Sequence, residues 1–150
     1  MSSSEKILNL AEKYGDYTAK NLSRLVQIKS LSRDEAGVSK LLSEQMKEAG
    51  FDEVRIDGLG NVIGKIGTGD KIIAIDGHID TVDMGNMDNW DFDPIGGEIK
   101  DGFVHGRGTV DQEGGPAAAV TAVKILREIG FPESLTLYVT GTVMEEDCDG

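Results

Sequence analysis

Apolar positions along the 150-residue chain switch between helical and alternating spacing, and the switches mark its elements. From about residue 5 to 28 the spacing is helical, with a break expected near Gly15-Asp16. Leu22, Leu25, Val26 and Ile28 form the apolar stripe of the second part. Ser32-Arg33-Asp34-Glu35 has the form of a capping box opening another helix. Val38, Leu41, Leu42 and Met46 carry that helix's buried face, and Gly50 ends it. Two short strands follow, over 53–57 and 61–66, and Gly67-Thr68-Gly69-Asp70 reads as a hairpin turn into a third. Ile72 to Asp76 is nearly continuously apolar, the pattern of a strand covered on both faces. A long polar connection over 81–102 is the kind of loop that is more often functional than idle. A short strand at Phe103-Val104, a helix over about 115–129 and a strand over 135–143 complete a β-turn-α-β unit. The predicted class is α/β, with one domain's worth of chain.

Composition narrows the partners. A formal net charge of −12 disfavours nucleic acid, whose phosphates need clustered Lys and Arg, and also disfavours anionic membranes. No apolar run approaches the roughly 20 residues that span a bilayer, and the amino terminus lacks the pattern of a signal peptide. The single cysteine, Cys148, forms no internal disulfide and reads as an inert thiol, which fits a cytoplasmic location. There is no G-x-S-x-G elbow, no third glycine after Gly106-x-Gly108 for a dinucleotide fingerprint, and no Walker sequence.

Three segments are expected to end strands in metal-type ligands, at Gly77-His78-Ile79-Asp80, at Gly106-Arg107-Gly108-Thr109-Val110-Asp111, and at Glu145-Glu146. In an open α/β sheet, function gathers outside the carboxyl ends of the strands. His78 and Asp80 are two apart, so an extended backbone puts them on one face, where a carboxylate can orient a metal-binding imidazole. Each segment alone has a plainer reading: a surface histidine, a helix N-cap at Asp111, a solvated acidic loop continued by Asp147 and Asp149. Together they crowd carboxylates that repel one another unless a cation sits among them. Asp88, Asp91 and Asp93 offer a second, calcium-type reading, but lack the central Gly and terminal Glu of that loop. Trp90 and Phe92 pack or line a pocket, and His105 is read as structural.

These three blocks resemble the signature blocks of the co-catalytic zinc amidohydrolases and metallopeptidases. That family includes acetylornithine deacetylase, succinyl-diaminopimelate desuccinylase, aminoacylase and glutamate carboxypeptidase; within it the chain is similar to the selenium-metabolism-linked hydrolases. The spacing fits, with 33 residues from His78 to Asp111 and 34 more to Glu145. The resemblance implies a three-layer α/β/α catalytic domain with a mixed sheet, of which these residues are the amino-terminal part. A lid or dimerisation domain, and a homodimer through it, would lie outside the 150 residues. It implies two zinc ions, for which cobalt or manganese could substitute. His78 would bind one zinc, oriented by Asp80; Asp111 would bridge both; Glu146 would bind the second; Glu145 would be the general base. It also implies a cis peptide at Asp111-Gln112. Gln112 and Glu113 replace a pair that is Met-Lys in many members, which points to a different substrate preference. An acidic ligand and a histidine ligand are expected downstream. The expected activity is hydrolysis of amide bonds in small N-acyl amino acids or peptides. The alternative is a non-catalytic α/β remnant serving binding or assembly.

Overall fold

Ser2 opens the first helix: its hydroxyl accepts the Glu5 N–H, and the Glu5 carboxylate accepts the Ser2 N–H. The computed structural model describes residues 2–150. Helix α1 spans Ser3–Lys13 and α2 spans Gly15–Val26, so the break falls at Tyr14, one residue before the expected Gly15-Asp16. Helix α3 spans Ala36–Ala49 and closes at Gly50, whose φ of 92° is the left-handed conformation that glycine adopts freely.

The predicted capping box before α3 does not form. The N-cap is Glu35, with no side-chain cap bond. The Ser32 hydroxyl instead reaches Asp80, and the Glu35 carboxylate reaches the Met144 N–H. Buried polar groups far along the chain out-compete the local cap, because a buried donor left unmet costs more than a frayed first turn.

β1 (Glu53–Ile56) and β2 (Val62–Ile66) are antiparallel neighbours. The turn between them closes on Asp57, whose Oδ1 accepts three successive N–H groups from Leu59, Gly60 and Asn61. The expected hairpin from β2 into β3 (Lys71–His78) is absent, because the last strand, β6 (Leu135–Thr142), lies between them. β6 runs antiparallel to β2 and parallel to β3, giving the order β1-β2-β6-β3 and a mixed sheet. The Gly67–Asp70 turn packs against the entry to β6: Gly69 N–H donates to Leu135 O, and Lys71 N–H donates to Ser134 O. A Cβ at Gly69 would come within 2.0 Å of Ser134, so only glycine allows this approach.

β3 is therefore an edge strand. Ile72, Ile73 and Ile75 are exposed, against the expectation of cover on both faces. Among the described residues the helices, including α4 (Gly114–Ile129), share one core with one face of the sheet. Leu42 and Met46 of α3, Val120 and Val123 of α4, and Val62 and Val139 of the strands meet there. A hairpin of β4 (Glu98–Lys100) and β5 (Phe103–His105) stands apart from the main sheet and contacts α2. The Gly106–Asp111 segment is turn, not the end of a strand of the main sheet as expected. Beside it, Trp90 packs edge-on to Phe92 and under the Arg107 guanidinium, and His105 stacks on Phe92, so all three are packing groups.

Asp52 fastens the two ends of this layer. It accepts the Gly67 N–H at 2.7 Å and pairs with Arg127 of α4. The Gly67 bond first of all holds its carboxyl below the ordinary 3.8; burial opposes it, and the pairing with Arg127 adds to the lowering. A carboxyl lowered in the folded state stabilises above its unfolded pKa and loses that contribution as pH falls through the folded one. Asp52→Asn is expected to melt lower than the parent at pH 7, and the gap should close as pH drops below about 4. Thermal melts of both proteins from pH 7 to pH 3 check this.

Candidate metal centre

β3 and β6 end side by side, with His78 in register with Thr142. The chain leaves β3 through Ile79, whose N–H continues the ladder onto Thr142 O at 2.8 Å. Gly77 allows the close approach of α4's first turn: a Cβ there would meet Gln112 Oε1 at 2.9 Å and Pro116 at 3.0 Å. His78 is thus buried on the strand end with its ring edge open toward Asp111 and the 145–146 turn.

Its Nδ1 lies 2.9 Å from the backbone oxygen of Asp80, which can only accept, so Nδ1 carries the proton. Nε2 then presents a lone pair. It faces Asp111 Oδ1 at 3.0 Å and Glu145 Oε2 at 3.6 Å. Burial lowers the pKa of His78, and the Asp80 carbonyl and the carboxylates of Asp111, Asp80 and Glu145 outweigh it, so the imidazole sits above its ordinary value. A cation is favoured there, as a proton or as a metal ion. His78, Asp111 and Glu146 can each turn one ligand atom into a space where all three lie within 4.8 Å of one another. An imidazole nitrogen and two carboxylate oxygens suit zinc, with cobalt and manganese close behind. The donor set fits a divalent metal. The carboxyl of Glu146 is raised, first by burial and then by the neighbouring Asp111 carboxylate, with His78 opposing.

Asp80 has no solvent exposure. Its main chain holds the imidazole, while its carboxylate turns mainly to the third segment. Oδ1 accepts the Glu145 N–H at 3.2 Å, Oδ2 accepts the Glu146 N–H at 3.1 Å, and Oδ1 lies 3.5 Å from His78 Nδ1. Asp111 and Glu145 are exposed, so the centre opens on the surface. The Asp111-Gln112 peptide is cis, as the resemblance implied.

Glu113 is 1% exposed and lies under the Gly108 turn, so its side chain faces the interior. Burial pushes its carboxyl up to about 8, opposed by a long 3.5 Å bond from the Ser30 hydroxyl. Three supporting residues carried no functional signal in the sequence. Ser32 donates to Asp80, Glu35 accepts from Met144, and Asn61 Oδ1 accepts the Val143 N–H at 3.0 Å. Ser32 and Glu35 were visible only as a capping pattern. Asp88, Asp91 and Asp93 do not gather; Asp93 Oδ1 accepts the Ile95 N–H within its own turn.

The chain is 51% identical over 144 residues to YgeY of Escherichia coli K12, covering 94% of this chain and 36% of that protein. It is 34% identical over 131 residues to a succinyl-diaminopimelate desuccinylase of Roseobacter denitrificans, covering 84% and 34%. The chain spans about a third of the length of these relatives. Its fold matches YXEP of Bacillus subtilis, described as a dinuclear metal binding peptidase, with a TM-score of 0.69 at 19% identity, over 93% of this chain and 38% of that one. The family description "Peptidase family M20/M25/M40" matches residues 74–150, the half that carries all three candidate ligand segments. The buried imidazole with its open nitrogen, the converging carboxylates and this match together place the chain in peptidase family M20/M25/M40.

Proposed function

We propose that the complete protein is a di-zinc hydrolase that cleaves the amide bond of small N-acyl amino acids or peptides. The observation that carries this reading is the His78 ring, held by the Asp80 carbonyl so that its free nitrogen meets carboxylates of two other segments. His78, Asp111 and Glu146 would hold the metals, with Asp111 as the shared ligand. When bound, two divalent ions supply a polarised carbonyl and a water acidic enough to react near pH 7.

The chain's own groups do the rest. Asp80 fixes the imidazole's tautomer and the course of the 145–146 turn. Glu145, exposed and next to the ligand set, takes the proton of the attacking water and returns it to the leaving amine. The same carboxylate acts first as base and then as acid.

These residues are read as the amino-terminal part of the catalytic domain. The remaining acidic and histidine ligands, and a lid domain through which two copies pair, belong to the rest of the protein. Support comes from the coverage of the relatives and from β3, whose edge isoleucines are exposed. We place the protein in the cytoplasm, where its single free thiol, Cys148, would stay reduced; among the described residues no helix is long and apolar enough to cross a membrane.

Elemental analysis of the complete protein should give about two zinc per chain, and His78→Ala should lower that number; no bound transition metal would refute the reading. Glu145→Gln should keep its zinc and lose roughly 10²- to 10⁴-fold in kcat on N-succinyl amino acids or dipeptides, the usual worth of a positioned acid–base group. Near-normal turnover by Glu145→Gln would remove it as the base.

A further inference from the structure

Nine residues link α2 to α3, and the last six of them, Ser30–Glu35, touch every segment that supplies the centre. Ser30 O accepts the Thr81 N–H at 2.8 Å, and Leu31 bridges Thr81 as a short parallel pair, just after His78-Ile79-Asp80. The Ser30 hydroxyl reaches Glu113, two residues past Asp111. Ser32 donates to Asp80 Oδ2 at 2.7 Å. Glu35, itself buried, accepts the Met144 N–H at 3.0 Å. Met144 has a φ of 58°, a backbone state a methionine rarely adopts, and it directly precedes Glu145 and Glu146. Arg33 pairs with Asp149 on the far side of the same turn.

We infer that Ser32 and Glu35 are positioning residues of this centre, holding through Asp80 and the Met144 N–H the turn that presents Glu145 and Glu146. The inference rests on the hydrolase reading for its purpose, but its geometry belongs to the chain alone. Asp80 accepts three hydrogen bonds, and two of them are the N–H groups of the residues to be positioned. Ser32 is the third donor and fixes how the carboxylate rotates. Glu35 anchors the residue before them. Groups that orient a metal's ligands typically change affinity by about 10- to 100-fold when removed.

The test uses the complete protein with two readouts. In metal-free protein, amide exchange at Glu145 and Glu146 should run about tenfold faster in Ser32→Ala and Glu35→Ala than in the parent. Zinc affinity, measured by competition with a chromophoric chelator, should weaken by roughly tenfold in the same variants. Ser32→Thr keeps the hydroxyl and Glu35→Gln keeps an acceptor oxygen, so both should restore the parent values. Thr136→Ala removes a buried hydroxyl that bonds Gly69 O, at the end of β6 opposite the centre. It should lower the melting temperature without moving either readout. Parent-like exchange and zinc affinity in Ser32→Ala and Glu35→Ala, or changes no larger than those of Thr136→Ala, would overturn the inference. If His78→Ala binds zinc as tightly as the parent, the hydrolase reading fails instead, and metal-free exchange still decides the positioning role.

Discussion

The Asp80 carboxylate is sealed from solvent, and donors from two distant parts of the chain turn toward it. Ser32 comes from 48 residues upstream, and the Glu145 and Glu146 amides from 65 and 66 downstream. A carboxylate can only accept, so each of these bonds has one allowed direction. Removing Asp80 would leave two main-chain donors and a hydroxyl without a partner in a part-buried place, a cost that no local rearrangement offsets. The meeting of the three segments depends on this group more than on any apolar contact. It also divides the work within one residue: the backbone oxygen sets the imidazole's tautomer, and the side chain sets the turn opposite.

The exposed parts of the centre contrast with this. Asp111 and Glu145 stand largely in solvent, while the groups that hold them are buried. Carboxylates that are to meet a ligand cannot be sealed in. Their placement comes from groups that are buried: the end of β3, Pro116 and Ala117 in the first turn of α4, and Ser30 and Glu35 of the loop before α3. Rigid support behind accessible groups is what precise chemistry at a surface requires.

Much of this was legible in the sequence because it is local. The helical stripes, the stop at Gly50 and the break beside Gly15 follow from propensity and spacing over a few residues. His78, Asp80, Asp111, Glu145 and Glu146 stood out as ligand types beside glycines and strand ends. What escaped was non-local. The Gly67–Asp70 turn carries every mark of a hairpin, yet its glycines serve a close approach to Ser134 and Leu135. The isoleucines of β3 read as doubly covered, yet no neighbour among the described residues takes the open edge. Ser32-Arg33-Asp34-Glu35 matched a helix start, and the same side chains were drawn to a carboxylate and an amide far along the chain. Short-range patterns cannot reveal such competition, because the winning partner lies outside the window.

The place of β6 between β2 and β3 bears on how the protein is made. During synthesis, residues 62–66 and 71–78 leave the ribosome long before 135–142, and the two earlier strands have no ladder to each other. The nascent chain must therefore carry β3, with its run of isoleucines, unpaired until some sixty further residues have emerged, about 3 to 12 s at ordinary elongation rates. Over that interval the strand that will carry His78 is a sticky, open segment, and a natural client for a holding chaperone.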